Sequence, residues 1–254
     1  MITLAFTSDV PVLPVAGPSW AGWILWLPLI SLALCGLCAA FRVKTKLAAW
    51  ITVLCLGMSF VVTLMLYVGY DGPWVVKLFD WINLHWTDAA QQDNSFIANF
   101  TLYIDSLTLL WMLFVTGLGT LIALYASEYM EPDVGKGYTR FFAGVSVFLF
   151  AMSALVMADN LVMMYLGWEG VGFASYWLIG YYYTKPSAVA AAKKAFIMNR
   201  IGDLGLALGI WNGVSCNVVI SNDKAGQGIA VTGSVSGAGS LCVRVYDALG
   251  TIVG

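Results

Sequence analysis

Few residues in this chain have the type and setting to do chemistry, and the most telling is an acid inside an apolar run. Glu169 stands in Tyr165-Leu-Gly-Trp-Glu-Gly-Val-Gly-Phe, and neither Lys nor Arg occurs from residue 162 to residue 176. A charge carried to the bilayer centre costs at least ~2.5 kcal/mol, so such a carboxyl is expected to face protein or water and to mark an ion pathway. Desolvation favours its neutral form, and a carboxyl poised near neutrality loads and releases a proton. Gly167, Gly170 and Gly172 allow a neighbouring helix to come close, or a hydrated kink to form. The plainer role, a neutral acid making one interhelical hydrogen bond, carries less weight.

Arg200 and Asp203 lie one helical turn apart and can pair within a helix, with Lys194 nearly two turns earlier. Two readings stay open: a snorkelling lysine beside a charge-neutral structural pair, or a polar path into the membrane whose cation tunes the carboxylate. Asp105 reads as a helix cap. His85, the sole histidine, reads as an exposed or interfacial residue, because no metal-ligand spacing surrounds it. Cys35 and Cys38 fall inside an apolar run without the strand and turn of a redox motif, so they read as small packing residues. No glycine-rich phosphate loop, cysteine cluster or flavin site is recognisable, so the chain is expected to hold no cofactor, no metal and no catalytic redox residue.

The elements that must position these groups are membrane helices. Sixty per cent of the residues are apolar and 10% charged, far from a soluble mixture. A net charge of −2 gives no reason to expect nucleic-acid binding. Apolar runs long enough to cross a ~30 Å hydrocarbon core recur about six times, and a lipid-exposed backbone makes them helices. They are placed at about Trp20–Phe41, Leu47–Tyr70, Ser106–Ser127, Phe141–Ala158, Leu161–Tyr183 and Ala195–Trp211. A polar loop follows the second, with a strand expected at Phe96–Ile104, and Thr184–Lys194 is read as a short basic connection. The expected architecture is an all-α polytopic membrane protein with a short β-like tail. Residues 1–19 form an extracytoplasmic lead-in, 20–211 the six-helix domain, and 212–254 a Gly/Ser/Val-rich tail. No Lys or Arg precedes Arg42, so the lead-in is not read as a secretory signal.

Orientation follows from the cations. Arg42, Lys44 and Lys46, then Lys136 and Arg140, then Lys185, Lys193 and Lys194 occupy alternate loops, while the opposite side holds Lys77 before the tail. The basic side is expected to be the inner one, with the N-terminus outside. Cys216 and Cys242 would then reach an oxidising compartment, where the two can form a disulfide between β-segments.

The segment from Asp159-Asn-Leu-Val-Met-Met-Tyr-Leu-Gly-Trp-Glu-Gly-Val-Gly-Phe to Tyr183 resembles the large antiporter-like membrane subunit of respiratory complex I, known as chain L or chain five. Lys194-Ala-Phe-Ile-Met-Asn-Arg-Ile-Gly-Asp-Leu-Gly, Asp105-Ser-Leu-Thr and Tyr125-Ala-Ser-Glu-Tyr-Met extend the likeness over about residues 20–211. The resemblance implies a non-redox, proton-translocating subunit of an NADH:quinone oxidoreductase-type complex, with Glu169, Lys194, Arg200 and Asp203 in the ion path. It implies other membrane subunits and the lipid bilayer as partners, in a bacterial cytoplasmic or mitochondrial inner membrane. The large subunit of a multi-subunit sodium/proton antiporter is similar in these residues. A non-transporting membrane anchor or inactive fragment is the rival from another class. Family members carry lysines on later helices and a second inverted repeat, where this chain turns to the β-like tail, which therefore looks foreign.

Overall fold

The computed structural model describes residues 15–87, 93–214, 216–222 and 229–235. The chain divides into two compact units, Met1–Asn199 and Arg200–Gly254. Six helices occur among the described residues: α1 (Trp23–Ala40), α2 (Leu47–Val68), α3 (Ser106–Tyr129), α4 (Tyr138–Val156), α5 (Leu161–Ile179) and α6 (Pro186–Val214). The strands are β1 (Val15–Ala16), β2 (Trp74–Thr87), β3 (Asp93–Ile104), β4 (Cys216–Asn222) and β5 (Ile229–Val235). The last two pair antiparallel in the second unit.

Four helical segments, Ser19–Ala40, Leu47–Val68, Ser106–Tyr129 and Tyr138–Val156, are long and apolar enough to cross a membrane. At ~1.5 Å per residue, the 22 residues of Leu47–Val68 measure about 33 Å. Helices α5 and α6 do not reach that standard. Glu169 and three glycines dilute one, and Lys193, Lys194, Arg200 and Asp203 the other.

The bundle places large side chains outside and small or hydroxylated ones inside. On α2 the buried residues Ala48, Ala49, Thr52, Leu56, Ser59, Thr63 and Leu66 recur every three or four positions. Leu54, Met58, Val61, Met65 and Val68 point outward. In water that face would be an interaction liability, whereas in lipid it is solvated. The seam on α3 has the same spacing: Leu109, Met112, Thr116, Gly119, Ala123 and Ala126.

Polar atoms stitch the interior. Ser31 of α1 donates to Thr52 Oγ1 of α2 at 3.2 Å and shares a 2.9 Å hydrogen bond with Ser146 of α4. Pro28 sits inside α1, where it can donate no bond to the carbonyl of Ile24 one turn back. Ser59 Oγ of α2 supplies the missing donor at 3.0 Å, so the gap in one helix is filled from the next.

The segment between α2 and α3 departs from the sequence reading. The expected strand at Phe96–Ile104 is one arm of a long antiparallel hairpin, whose other arm lies in what was read as a polar loop. The bilayer part is thus all-helical, but the described chain is not all-α. Irregularities between Lys77 and Phe79 and between Phe79 and Ile82 interrupt the register, and strand β1 adds to β2 in parallel. Val76, Phe100, Leu102 and Ile104 join Ile24, Leu25, Leu66, Leu109, Met112 and Met163 in one core cluster, which seats the hairpin on one end of the bundle.

Boundaries shift elsewhere. Helix α5 ends at Ile179 rather than Tyr183, and most of the expected Thr184–Lys194 connection belongs to α6, which continues to Val214. Residues 1–14 of the lead-in, Cys242 and the side chain of Cys216 lie outside the described residues.

Candidate functional site

Glu169 lies on α5, whose start is fixed from two directions. Asn160 Oδ1 accepts the N–H of Met163 at 2.9 Å, and Asn160 Nδ2 donates to the carbonyl of Asn99 on β3 at 2.8 Å. The link ahead of it is tied to the same strand. Tyr103 N–H donates to Met157 O at 2.9 Å and Asp159 N–H to Thr101 O at 3.2 Å. Burial pushes the Asp159 carboxyl above the usual aspartate range.

Along α5 the glycines act as the sequence suggests. A Cβ on Gly167 would stand 2.6 Å from the backbone nitrogen of Leu155 on α4, and one on Gly170 2.8 Å from Ala151 Cβ. These are the close-approach positions of an α4–α5 seam. Gly172 faces another neighbour, with Asn199 of α6 within 3.5 Å of its would-be Cβ.

The Glu169 carboxylate is half-buried and accepts a 2.7 Å hydrogen bond from Tyr165 Oη, one turn back on the same helix. Sequence reasoning passed over Tyr165, although an i,i+4 tyrosine–glutamate pair is a readable signal. The arrangement gives the acid a neutral O–H partner at short range on a helix held rigidly against α4. A carboxyl with a hydrogen-bonded hydroxyl beside it has the functional groups that proton transfer requires.

The other expected site residues fall on α6. Lys194 is exposed. Arg200 and Asp203 form the anticipated i,i+3 pair at 3.6 Å, with the arginine side chain 43% and the aspartate 6% exposed. That asymmetry is what a guanidinium reaching outward from a buried carboxylate produces. Asp105 caps α3 as expected, accepting from Thr108 N–H at 2.6 Å, and His85 is exposed on β2.

The end of the bundle opposite the hairpin gathers the cation-bearing links. Lys46 bridges Glu128 at 3.0 Å and Glu131 at 3.2 Å, and these partners raise its pKa above the ordinary lysine value. Tyr182 Oη donates to Asp133 at 2.9 Å, and Arg140 Nη2 donates to the carbonyl of Tyr181 at 2.8 Å. Burial, helped by the Asp133 carboxylate, pushes the Tyr181 phenol up to about 12. The α1–α2, α3–α4 and α5–α6 links therefore meet at one end, as an up-and-down helix order requires.

Comparison with known proteins bears on what this geometry serves. Residues 91–142 match the family model described as NADH-ubiquinone oxidoreductase (complex I), chain 5 N-terminus. Residues 158–216 match the one described as NADH:quinone oxidoreductase/Mrp antiporter, TM. NADH-quinone oxidoreductase subunit L of Escherichia coli is 39% identical over 189 residues, covering 73% of this chain and 29% of the relative. Subunit L of Mycobacterium tuberculosis is 52% identical over 113 residues, 44% of this chain and 18% of the relative. The chain thus spans less than a third of the length of these curated relatives. Among solved structures, the Mrp complex from Dietzia sp. shares the fold at a TM-score of 0.55 and 21% identity, over 74% of this chain and 18% of its own.

Proposed function

We propose, from the premise that this chain is related to the antiporter-like membrane subunits of NADH:quinone oxidoreductase, that it is the N-terminal part of a proton-translocating subunit in which Glu169 is an ion-path carboxyl. The observation that carries the proposal is the Glu169–Tyr165 pair at 2.7 Å, on a helix seated against α4 by Gly167 and Gly170. In this reading Glu169 takes up and passes on a proton, and Tyr165 orients its carboxylate. Lys194, Arg200 and Asp203 of α6 are the further ion-path residues of this reading, and α5 and α6 complete six spans. Strands β4 and β5, which follow α6 in the chain, belong to a β-like tail. The partners are the other membrane subunits of a complex I-like assembly.

The test is an exchange of residues 158–211 into the E. coli relative, with NADH-driven pumping measured in inverted vesicles. Glu169→Gln keeps the shape and hydrogen bonding but cannot release a proton, so pumping should fall strongly while assembly persists. Unchanged pumping would move Glu169 to a structural role. A second reading, a sodium/proton antiporter subunit, is favoured by the joint description of the family that residues 158–216 match. An imposed sodium gradient in the same vesicles separates the two.

The basic link end faces the inner compartment in this proposal, and the N-terminus and hairpin face outside. Cysteine labels near Lys44 and Lys136 should react only from the inner side. Labelling of Lys44 from outside would reverse the orientation.

A further inference from the structure

At the link end, beside the lysine that holds Glu128 and Glu131, a cleft of about 360 Å³ opens between the end of α1 and the start of α4. Arg42, Lys44 and Arg140 line it, and no acid does. The nearby carboxylates are engaged elsewhere. Glu128 and Glu131 bind Lys46, and Asp133 takes the Tyr182 hydroxyl and lines, with Lys136 and the other side of Arg140, an adjoining cleft of about 260 Å³. Arg140 is positioned without an ion pair among the described residues. It donates to a main-chain carbonyl and stacks over the rings of Tyr181 and Tyr183 at 5.3 and 4.7 Å.

Arg42 adds a second, independent signal. It occupies the left-handed position just past α1, with φ of 51°. The helix closes there by a double turn, Arg42 N–H to Ala39 O at 3.1 Å and Val43 N–H to Cys38 O at 2.9 Å. Glycine is the usual occupant of that position because a Cβ is strained there. Arg42 therefore carries its side chain at a position that glycine would hold with less strain. Phe41, next to it, is 80% exposed and offers an apolar surface beside the cleft.

We propose that this cleft binds the phosphodiester of an anionic phospholipid at the membrane surface, with Arg42, Lys44 and Arg140 as its cations. Two arginines and a lysine converging without a carboxylate suit a phosphate, and the rim beside Phe41 suits acyl chains. Free inorganic phosphate offers the same chemistry, so the test carries both. The inference is independent of the role given to Glu169.

The full chain in mild detergent is exposed separately to phosphatidylglycerol, phosphatidylcholine and inorganic phosphate, and retention is read by native mass spectrometry. Phosphatidylglycerol should be retained in preference to phosphatidylcholine. Arg42→Gly, which removes the cation while easing the backbone, should weaken that retention by about fivefold without lowering the melting temperature. Lys44→Gln should weaken it further, and Lys77→Gln at the hairpin should leave it unchanged. Equal retention of the two lipids, or Arg42→Gly indistinguishable from the parent, would overturn the proposal. So would phosphate binding that depends on Arg42 without lipid retention.

Discussion

Replacing Gly167 by alanine tests whether the α4–α5 seam positions Glu169. The added Cβ would lie 2.6 Å from Leu155 N and 2.7 Å from Leu155 Cα. Both are backbone atoms, so no side-chain rotation relieves the clash. Restoring ordinary contact moves α5 away from α4 by roughly 0.8 Å, and overpacking on this scale costs about 1–3 kcal/mol. Removing a helical glycine returns roughly 0.5–1 kcal/mol, leaving a net loss of about 0–2.5 kcal/mol, centred on ~1. Gly36→Ala is the matched control, because nothing stands within 4 Å of its would-be Cβ. It should be neutral or stabilising. Gly170→Ala is crowded by Ala151 Cβ at 2.8 Å, with the nearest backbone atom at 3.8 Å, and should fall between them. Unfolding of the purified chain in micelles, followed by circular dichroism, ranks the three. If Gly167→Ala matched Gly36→Ala, the helices would not be as close as described, and the seam could not be what holds Glu169 in place.

Two further outcomes follow from the polar interior and the hairpin contact. Ser59→Ala removes the donor to Ile24 O and should cost about 1–2 kcal/mol in the same unfolding assay, and an unaffected variant would mean another group serves that carbonyl. Asp159 is held above its ordinary 3.8 by burial, so its ionisation opposes folding. Stability should fall as pH rises from 3.8 through the raised value and then level off. Asp159→Asn should flatten that slope and leave the variant more stable than the parent at neutral pH, whereas a steeper slope would refute the burial argument.

The four apolar spans and the Asp105 cap were legible because lipid and helix termini each impose a local rule on residue type. The hairpin was legible only in its second arm. Strand β2 carries Lys77, Asp80, Asn83 and His85 and has two register irregularities, so the alternation that announces a strand is lost. The start of α6 was hidden by charge. Lys185, Lys193 and Lys194 read as a loop, although Pro186 suits a first helical turn and Ala188, Ala190, Ala191 and Ala192 favour helix. The glutamate and its glycines stood out at once, because an acid in an apolar run is conspicuous. The bridges from Lys46 to Glu128 and Glu131 join residues more than eighty positions apart, and no local pattern signals them. Tyr165 was readable and was passed over.

The hydrogen bond from Ser59 to the Ile24 carbonyl bears on how the chain enters the bilayer. A helix normally arrives in lipid with its main chain complete, but α1 on its own would carry an orphan carbonyl at Ile24. Its completion comes from α2, so the two are better regarded as one insertion unit than as successive spans. A ribosome stalled after α1 would leave a segment with reason to slide back toward the translocon. Release of α2 alongside it would remove that reason.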